Sequence, residues 1–295
     1  MTARLSAQYR LVEFDALVPV GTEKGLRMTQ LTRPKLGVIG YGTMASAMVS
    51  RLLDVDLLER DSLSVSSRSG VGEAFTALGI ENSSNQAVVD QSDVIFLGVK
   101  PYQLDEVSTE LQFRSDQIVL SMLAGTPMDA LRTTLAPAQV VRLMPNLAVG
   151  LGSGVVAEIG LSECTSSYAE WLRAALSSYG TWMPLMKESL FDGVTALAGS
   201  APAFCFVMAQ ALADAAVLEG VSRKDSERLA AAVLEGAGAM LRNSGMTPET
   251  LKDRVASPQG TTISGLRALE AGGFRSAVIE AIAATAERSR QLSKG

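Results

Sequence analysis

The stretch Leu36-Gly-Val-Ile39-Gly40-Tyr41-Gly42-Thr43-Met44-Ala45 is a short apolar run, then two spaced glycines, then the start of a helical period. Leu36 to Ile39 reads as a buried strand, and the alanine- and leucine-rich segment from Met44 to Leu53 as the helix after it. A glycine turn between a strand and a helix is the context in which a dinucleotide is held, because the diphosphate sits on the unpaired N–H groups of the helix start. Gly40 permits the tight turn and Gly42 lets the backbone approach the diphosphate. Ala45, where a third glycine is usual, still allows close helix–strand packing. The alternative is a merely structural turn, and the flanking strand and helix favour the ligand.

Further apolar runs follow at Leu63–Val65, Val94–Val99, Ile118–Leu120 and Val140–Leu143, with room for helices between them. Continuous apolar strands alternating with helices predict a mainly parallel sheet covered on both faces. Val155–Ala157 and Trp182-Met183 are expected to add edge strands. After about Lys187 the composition shifts to an alanine-rich, helical pattern broken at Gly220, at Asn243-Ser-Gly245 and at Ser257-Pro-Gln-Gly260. The expected class is α/β, an N-terminal Rossmann-type doubly wound sheet with a C-terminal all-helical dimerisation domain. The boundaries are 1–34 for an N-terminal extension, 35–184 for the dinucleotide-binding domain and 185–295 for the helical domain. Met28 is an alternative chain start.

The chain of 295 residues is 47% hydrophobic and 19% charged, enough for a large core and against wholesale disorder. Its net charge of −5 argues against a nucleic-acid partner. Histidine is absent, which excludes a Ser-His-Asp triad, a His-ligated zinc and imidazole proton transfer; no metal site is expected. Cys164 and Cys205 are the only cysteines, too few for a disulfide scaffold and in keeping with a reduced compartment. Glu13 and Asp15 interrupt any signal-peptide core near the start. Ala201 to Leu218 approaches the ~18–20 residues of a membrane span, but it carries Pro202, Gln210 and Asp214. A helix buried against a second subunit is expected there instead, in a soluble, cytoplasmic homodimer without a membrane partner.

Strand ends supply the candidate ligands. The second strand ends Ser66-Ser67-Arg68, without the carboxylate that binds the ribose diol of NAD. Two hydroxyls and a guanidinium suit a 2′-phosphate instead, which points to NADPH, with NADH as the alternative. An ordinary solvated turn is the competing reading. Val99-Lys100-Pro101 and Met144-Pro145-Asn146 end later strands at the edge where open α/β sheets bind ligands; Asn146 could orient a nicotinamide or only cap its turn. Gly260, Thr261 and Thr262 open a helical run with exposed amides and hydroxyls, suited to a carboxylate, although a plain capped helix start reads the same.

Taken together, the Gly-x-Gly-x-Met-Ala opening, Val99-Lys100-Pro101, Met144-Pro145-Asn146, Thr195 to Phe204 and Ser257 to Thr262 resemble the pyrroline-5-carboxylate reductase family, over residues 35 to 293. Leu251 to Val255 and Gly273-Phe274-Arg275 strengthen the match. The resemblance implies NAD(P)H-dependent reduction of 1-pyrroline-5-carboxylate to L-proline, the last step of proline biosynthesis. It implies cofactor contacts at Tyr41, Thr43 and Met44, at Ser66, Ser67 and Arg68, at Asn85, and at Val99, Lys100 and Pro101. It places the small-molecule substrate at Ser257, Gly260, Thr261 and Thr262, on a helical domain that interlocks with a second subunit, with rings of dimers as a further level. Thr262 is the expected catalytic hydroxyl and the Gly260 and Thr261 amides the carboxylate site. The family usually has glycine where this chain has Ala201 and Gln259. A glutamine at 259 costs little if φ is negative, and its side chain is expected in solvent. Two other functions fit the same residues: reduction of another cyclic imine, or a degenerate NADPH-binding regulatory paralogue.

Overall fold

The computed structural model describes residues 31–292 except 69, 71, 73–75, 77 and 78. The expectations for the N-terminal extension up to residue 30, and for Met28 as a start, lie outside the described residues.

Among these residues the order is β1 (Leu36–Ile39), α1 (Thr43–Asp54), β2 (Leu63–Ser66), α2 (Asn85–Gln91), β3 (Val94–Leu97), α3 (Leu104–Ser108), β4 (Ile118–Ser121), α4 (Met128–Thr134) and β5 (Gln139–Pro145). Then come β6 (Gly154–Ile159), α5 (Ala169–Ser178), β7 (Gly180–Pro184) and the helical run α6 (Phe191–Val194), a π-helical turn (Thr195–Ser200) and α7 (Ala201–Leu218). Four helices finish the described chain: α8 (Arg223–Asn243), α9 (Pro248–Val255), α10 (Thr261–Ala271) and α11 (Phe274–Leu292).

The seven strands form one sheet in the order β2-β1-β3-β4-β5-β6-β7. The pairs from β2 to β5 are parallel, β5–β6 is antiparallel and β6–β7 is parallel again. The reversal at β6 follows from chain length. The connector 146–153 is too short for the crossover of a dozen or more residues that a parallel partner needs. β7 is an edge strand as expected. β6 is not, because β7 returns beside it after α5 and leaves it covered, with Val156 and Ala157 fully buried.

Alternation along the strands divides the core between two faces. On one face Leu36, Val38, Phe96 and Leu120 pack with Met48 and Leu52 of α1 and with Trp171, Leu172 and Leu176 of α5. The Trp171 Nε1–H donates to the Leu57 carbonyl at 2.7 Å, and Arg51 Nε donates to the Ser178 carbonyl at 2.9 Å, tying α1 and the turn after it to α5. On the other face Ile39, Ile95 and Val119 pack with Val88 and Val89 of α2, Leu104 of α3 and Leu131 of α4. The sheet is therefore covered on both sides.

Compactness divides the described chain into one unit of residues 31–205 with 274–292 and another of Phe206–Gly273, the division falling inside α7. In the first unit α11 rejoins the chain near α6, where the Ser289 hydroxyl donates to Asp192 at 2.6 Å. Arg142 of β5, itself buried, pairs with Glu188 and lies 4.0 Å over the Phe191 ring, so the sheet is anchored to the start of the helical run.

The run Glu188–Leu218 is long and apolar enough to cross a membrane by length and composition, with mean hydropathy 1.7 and 6% of its most apolar window buried. On α7, Phe206 is 73% and Leu218 87% exposed, while Ala213 is buried. A helix apolar on nearly every side calls for a cover beyond the described residues, and a second copy of the chain supplies one. Sedimentation at micromolar concentration is expected to give a dimer or larger particle; a monodisperse 31.0 kDa monomer would contradict this.

Glu158 of β6 gives a second test. It is 4% exposed, accepts from the Leu161 N–H at 3.1 Å, and burial raises its carboxyl above the usual range, against the lowering effects of that hydrogen bond and of Arg173. A folded-state pKa above the unfolded value favours the folded protein below about pH 4.3, and that contribution is lost as pH rises through the folded pKa. Glu158→Gln is expected to gain in melting temperature over the wild type as pH is raised from about 4 to 8, since a neutral amide has no such loss. A constant difference across that range would refute the assignment.

Candidate functional site

A cleft of about 470 Å³ opens at the carboxyl ends of β1, β2 and β3, where the strand order changes direction between β1 and β3. Two glycines make it. Gly40 has φ +87°, and a Cβ there would come within 2.6 Å of the Val99 nitrogen. A Cβ on Gly98 would come within 2.7 Å of the Gly40 carbonyl oxygen. Backbone thus meets backbone at the bottom of the cleft, a contact closed to any larger residue.

Gly42 is different. Its φ is −91°, available to any residue, and a Cβ there would meet nothing within 4 Å. It caps α1, whose first turn carries neither a side-chain cap nor an acidic residue. The helix amides and the positive end of its dipole are left to an anion in the open space before them, as a diphosphate requires. Tyr41 forms the neighbouring wall and is 8% exposed; burial raises its phenol well above the usual range, so it stays neutral.

The far wall is the end of β2. Ser66, Ser67 and Arg68 line the cleft with Asn85. The Ser66 hydroxyl donates to Asn85 Oδ1 at 2.6 Å, while Asn82 clasps the Ser67 backbone, accepting from its N–H at 2.8 Å and donating to its carbonyl at 3.0 Å. Arg68 is exposed and paired with Glu106 of α3 at 2.8 Å. The opposite wall holds Val99 and Lys100 with Tyr102 and Gln103.

The first unit therefore brings together Gly40, Tyr41 and Gly42 with Ser66, Ser67, Arg68, Asn85, Val99 and Lys100. Thr43 faces an adjoining depression of about 650 Å³ beside Gly70 and Gly72. Met44 is half-buried against the core, and Pro101 opens the short 3-10 turn Pro101–Gln103, outside the lining. Asn146 is committed elsewhere. Its Nδ2 donates to the Ala198 carbonyl at 3.0 Å and its Oδ1 accepts from the Val155 N–H at 3.2 Å, fastening the π-helical turn to the β5–β6 connection. Tyr102 and Gln103 were not anticipated, yet a signal exists. Proline at the first position and glutamine at the third after Lys100 is a helix-start pattern, and Gln103 Oε1 accepts from the Lys100 N–H at 3.0 Å.

In the unit Phe206–Gly273, Ser257-Pro258-Gln259-Gly260 has a Gly260 N–H to Ser257 carbonyl bond of 3.1 Å, proline second and a positive φ third, the features of a type II turn. Gln259 has φ +57°, so the low-cost negative value does not hold; its side chain is exposed, as expected. Gly260 caps α10, whose first turn has no side-chain cap and no acid, and Thr262 is half-buried behind the exposed Thr261. Amides and hydroxyls at this helix start suit a carboxylate.

Residues 188–292 match the family described as pyrroline-5-carboxylate reductase dimerisation, and residues 35–125 match NADP oxidoreductase, coenzyme F420-dependent. A pyrroline-5-carboxylate reductase of Methanosarcina acetivorans is 39% identical over 272 residues, 88% of this chain and 98% of that protein. The crystal structure of Plasmodium falciparum pyrroline carboxylate reductase with NADP bound is similar at TM-score 0.79 and 26% identity, covering 89% of this chain and 99% of that one. The Streptococcus pyogenes 1-pyrroline-5-carboxylate reductase gives TM-score 0.78 at 30% identity, covering 88% and 99%.

The contrast between the two glycines is testable. Gly42→Ala is expected to melt like the wild type but to weaken NADPH binding by about tenfold or more, since its methyl occupies ligand space. Gly40→Ala is expected to lower stability by about 1–3 kcal/mol, from a disfavoured φ and a backbone clash. Calorimetry and a fluorescence titration separate the two effects; equal behaviour of the variants would refute the assignment.

Proposed function

This chain belongs to the pyrroline-5-carboxylate reductase family, and on that footing we propose how its residues reduce 1-pyrroline-5-carboxylate to L-proline with NAD(P)H. The observation that carries the reading is the uncapped start of α1 facing open space at Gly42, in a chain whose 39%-identical relative is matched over 98% of its length. The dinucleotide-binding domain of residues 35–184 would hold NADPH. The diphosphate lies on the α1 amides by Gly40 to Met44 and the adenosine ribose by Ser66, Ser67, Arg68 and Asn85. Val99, Lys100 and Pro101 border the remainder, and Asn146 acts by fixing the π-helical turn. Bound there, the reduced nicotinamide supplies a hydride.

The helical domain of residues 185–295 would hold the substrate. Its carboxylate is received by the Gly260 and Thr261 amides at the start of α10, with Ser257 beside them. The reaction adds a hydride to carbon and leaves a proton on nitrogen. A protonated iminium brings that proton with it, so a chain without histidine lacks nothing the chemistry requires. What the protein must do is align the imine carbon, and the Thr262 hydroxyl oxygen orients the ring by accepting a hydrogen bond from the iminium N–H.

The apolar α7 pairs with its copy in a homodimer, consistent with the dimerisation family matched over residues 188–292, and such dimers would assemble into rings in the cytoplasm.

The deciding experiment is steady-state NADPH oxidation with 1-pyrroline-5-carboxylate; no turnover would refute the reading. Thr262→Ala is expected to lower kcat/KM at least about tenfold, while Gln259→Gly changes KM less than about threefold, worth ~0.7 kcal/mol. A large gain in activity from Gln259→Gly would instead point to a divergent substrate.

A further inference from the structure

Arg68 carries the positive charge at the end of β2, and its guanidinium is held by a carboxylate from across the cleft. Arg68 Nη2 lies 2.8 Å from Glu106 Oε1, with both side chains largely exposed. Glu106 sits on α3, the helix that also sends Val107 into the cleft lining, directly after Tyr102 and Gln103. The pair therefore bridges the walls of the cleft at the place where the adenosine ribose belongs. The Ser66 hydroxyl is already given to Asn85. Arg68 is the charged donor for a phosphate at this strand end.

A 2′-phosphate arriving there is a dianion or nearly so, and it must take Arg68 from Glu106 or share it beside a like charge. A ribose diol makes no such demand. It leaves the pair intact, because it brings no charge that competes for Arg68. Resting on the cofactor reading above, we propose that Glu106 is a specificity-determining residue: by holding Arg68 it lowers this chain's preference for NADPH and keeps NADH competitive. The effect is modest because an exposed ion pair is weak.

Binding is measured without substrate, by nucleotide fluorescence for NADPH and NADH and by calorimetry for the fragments 2′,5′-ADP and 5′-ADP. Glu106→Gln is expected to tighten NADPH and 2′,5′-ADP by roughly two- to fivefold, as for one released exposed pair, while NADH and 5′-ADP move less than about twofold. Arg68→Ala is expected to weaken NADPH selectively, and adding Glu106→Gln to it should change nothing further. Glu106→Ala serves as the check that the lost charge, and not the new amide, is responsible. Equal shifts for phosphorylated and unphosphorylated nucleotides, no shift at all, or an effect that persists without Arg68 would overturn the proposal. Failure of the wild type to bind either dinucleotide would overturn the cofactor reading and this inference with it.

Discussion

The close approach of two backbones, Gly40 to Gly98, governs the ligand-binding half of this molecule. Parallel strands with helices on opposite faces part company where the strand order reverses, and here that happens between β1 and β3. The chain leaving β1 must turn sharply under α1 while the chain leaving β3 passes beneath it. The Gly98 N–H donates to the Ile39 carbonyl at 2.8 Å, and a Cβ on Gly98 would still have only 3.5 Å to that of Ala45. With the floor fixed so low, the first turn of α1 stands over open space and its amides look into the cleft. A bulkier residue at either glycine would lift the helix start from the strand ends and fill the same space from below.

Holding the far side of the cleft is a task for neutral hydrogen bonds. Asn82 and Asn85 grip Ser67 and Ser66, so the shape of the β2 end is set by amides while the charges stay at the rim. One charge, the Arg142 guanidinium, is instead buried where the sheet meets the helical run, while its partner Glu188 stays partly exposed. Arg142 stacks on Phe191 and pairs with Glu188, which also accepts from the Met128 N–H at 2.7 Å. A buried arginine left without its carboxylate is strongly destabilising, about 3–5 kcal/mol. This pair and the Asn146 clasp on Ala198 together fix the π-helical turn from which α7 departs.

The parallel sheet was legible in the sequence because its strands are buried on both faces and therefore read as unbroken apolar runs. The glycine turn was legible because it sat between such a run and a helical period. Asn85 came only through resemblance, and its physical reason is the Ser66 hydroxyl it accepts. Asn82, Glu106 and the Tyr102–Gln103 wall were not legible. Each acts on a residue far along the chain or through a turn of three residues, and periodicity carries no trace of such pairings. Asn146 shows the opposite limit: its position at a strand end suggested a ligand, while both ends of its amide are bound to backbone.

The turn before α10 separates two glycines that sequence alone treats alike. Where the family usually has a glycine pair, this chain keeps Gly260 and replaces the other with Gln259. A Cβ on Gly260 would lie 2.2 Å from the Ser257 hydroxyl oxygen and 3.2 Å from the Ser257 carbonyl oxygen, so a larger residue there must turn the serine out of its rotamer. At 259 only the sign of φ is demanded, and an L-residue meets it at a cost of about 1–2 kcal/mol. Pro258 fixes the preceding φ, and the Gly260 N–H to Ser257 carbonyl bond closes the turn, so the conformation is imposed from both sides and the glutamine follows. The serine hydroxyl can move away by a χ1 rotation, whereas the sign of φ at 259 cannot change without opening the turn. The turn therefore stays closed with glutamine at 259, and α10 keeps a first turn with no side-chain cap and no acid.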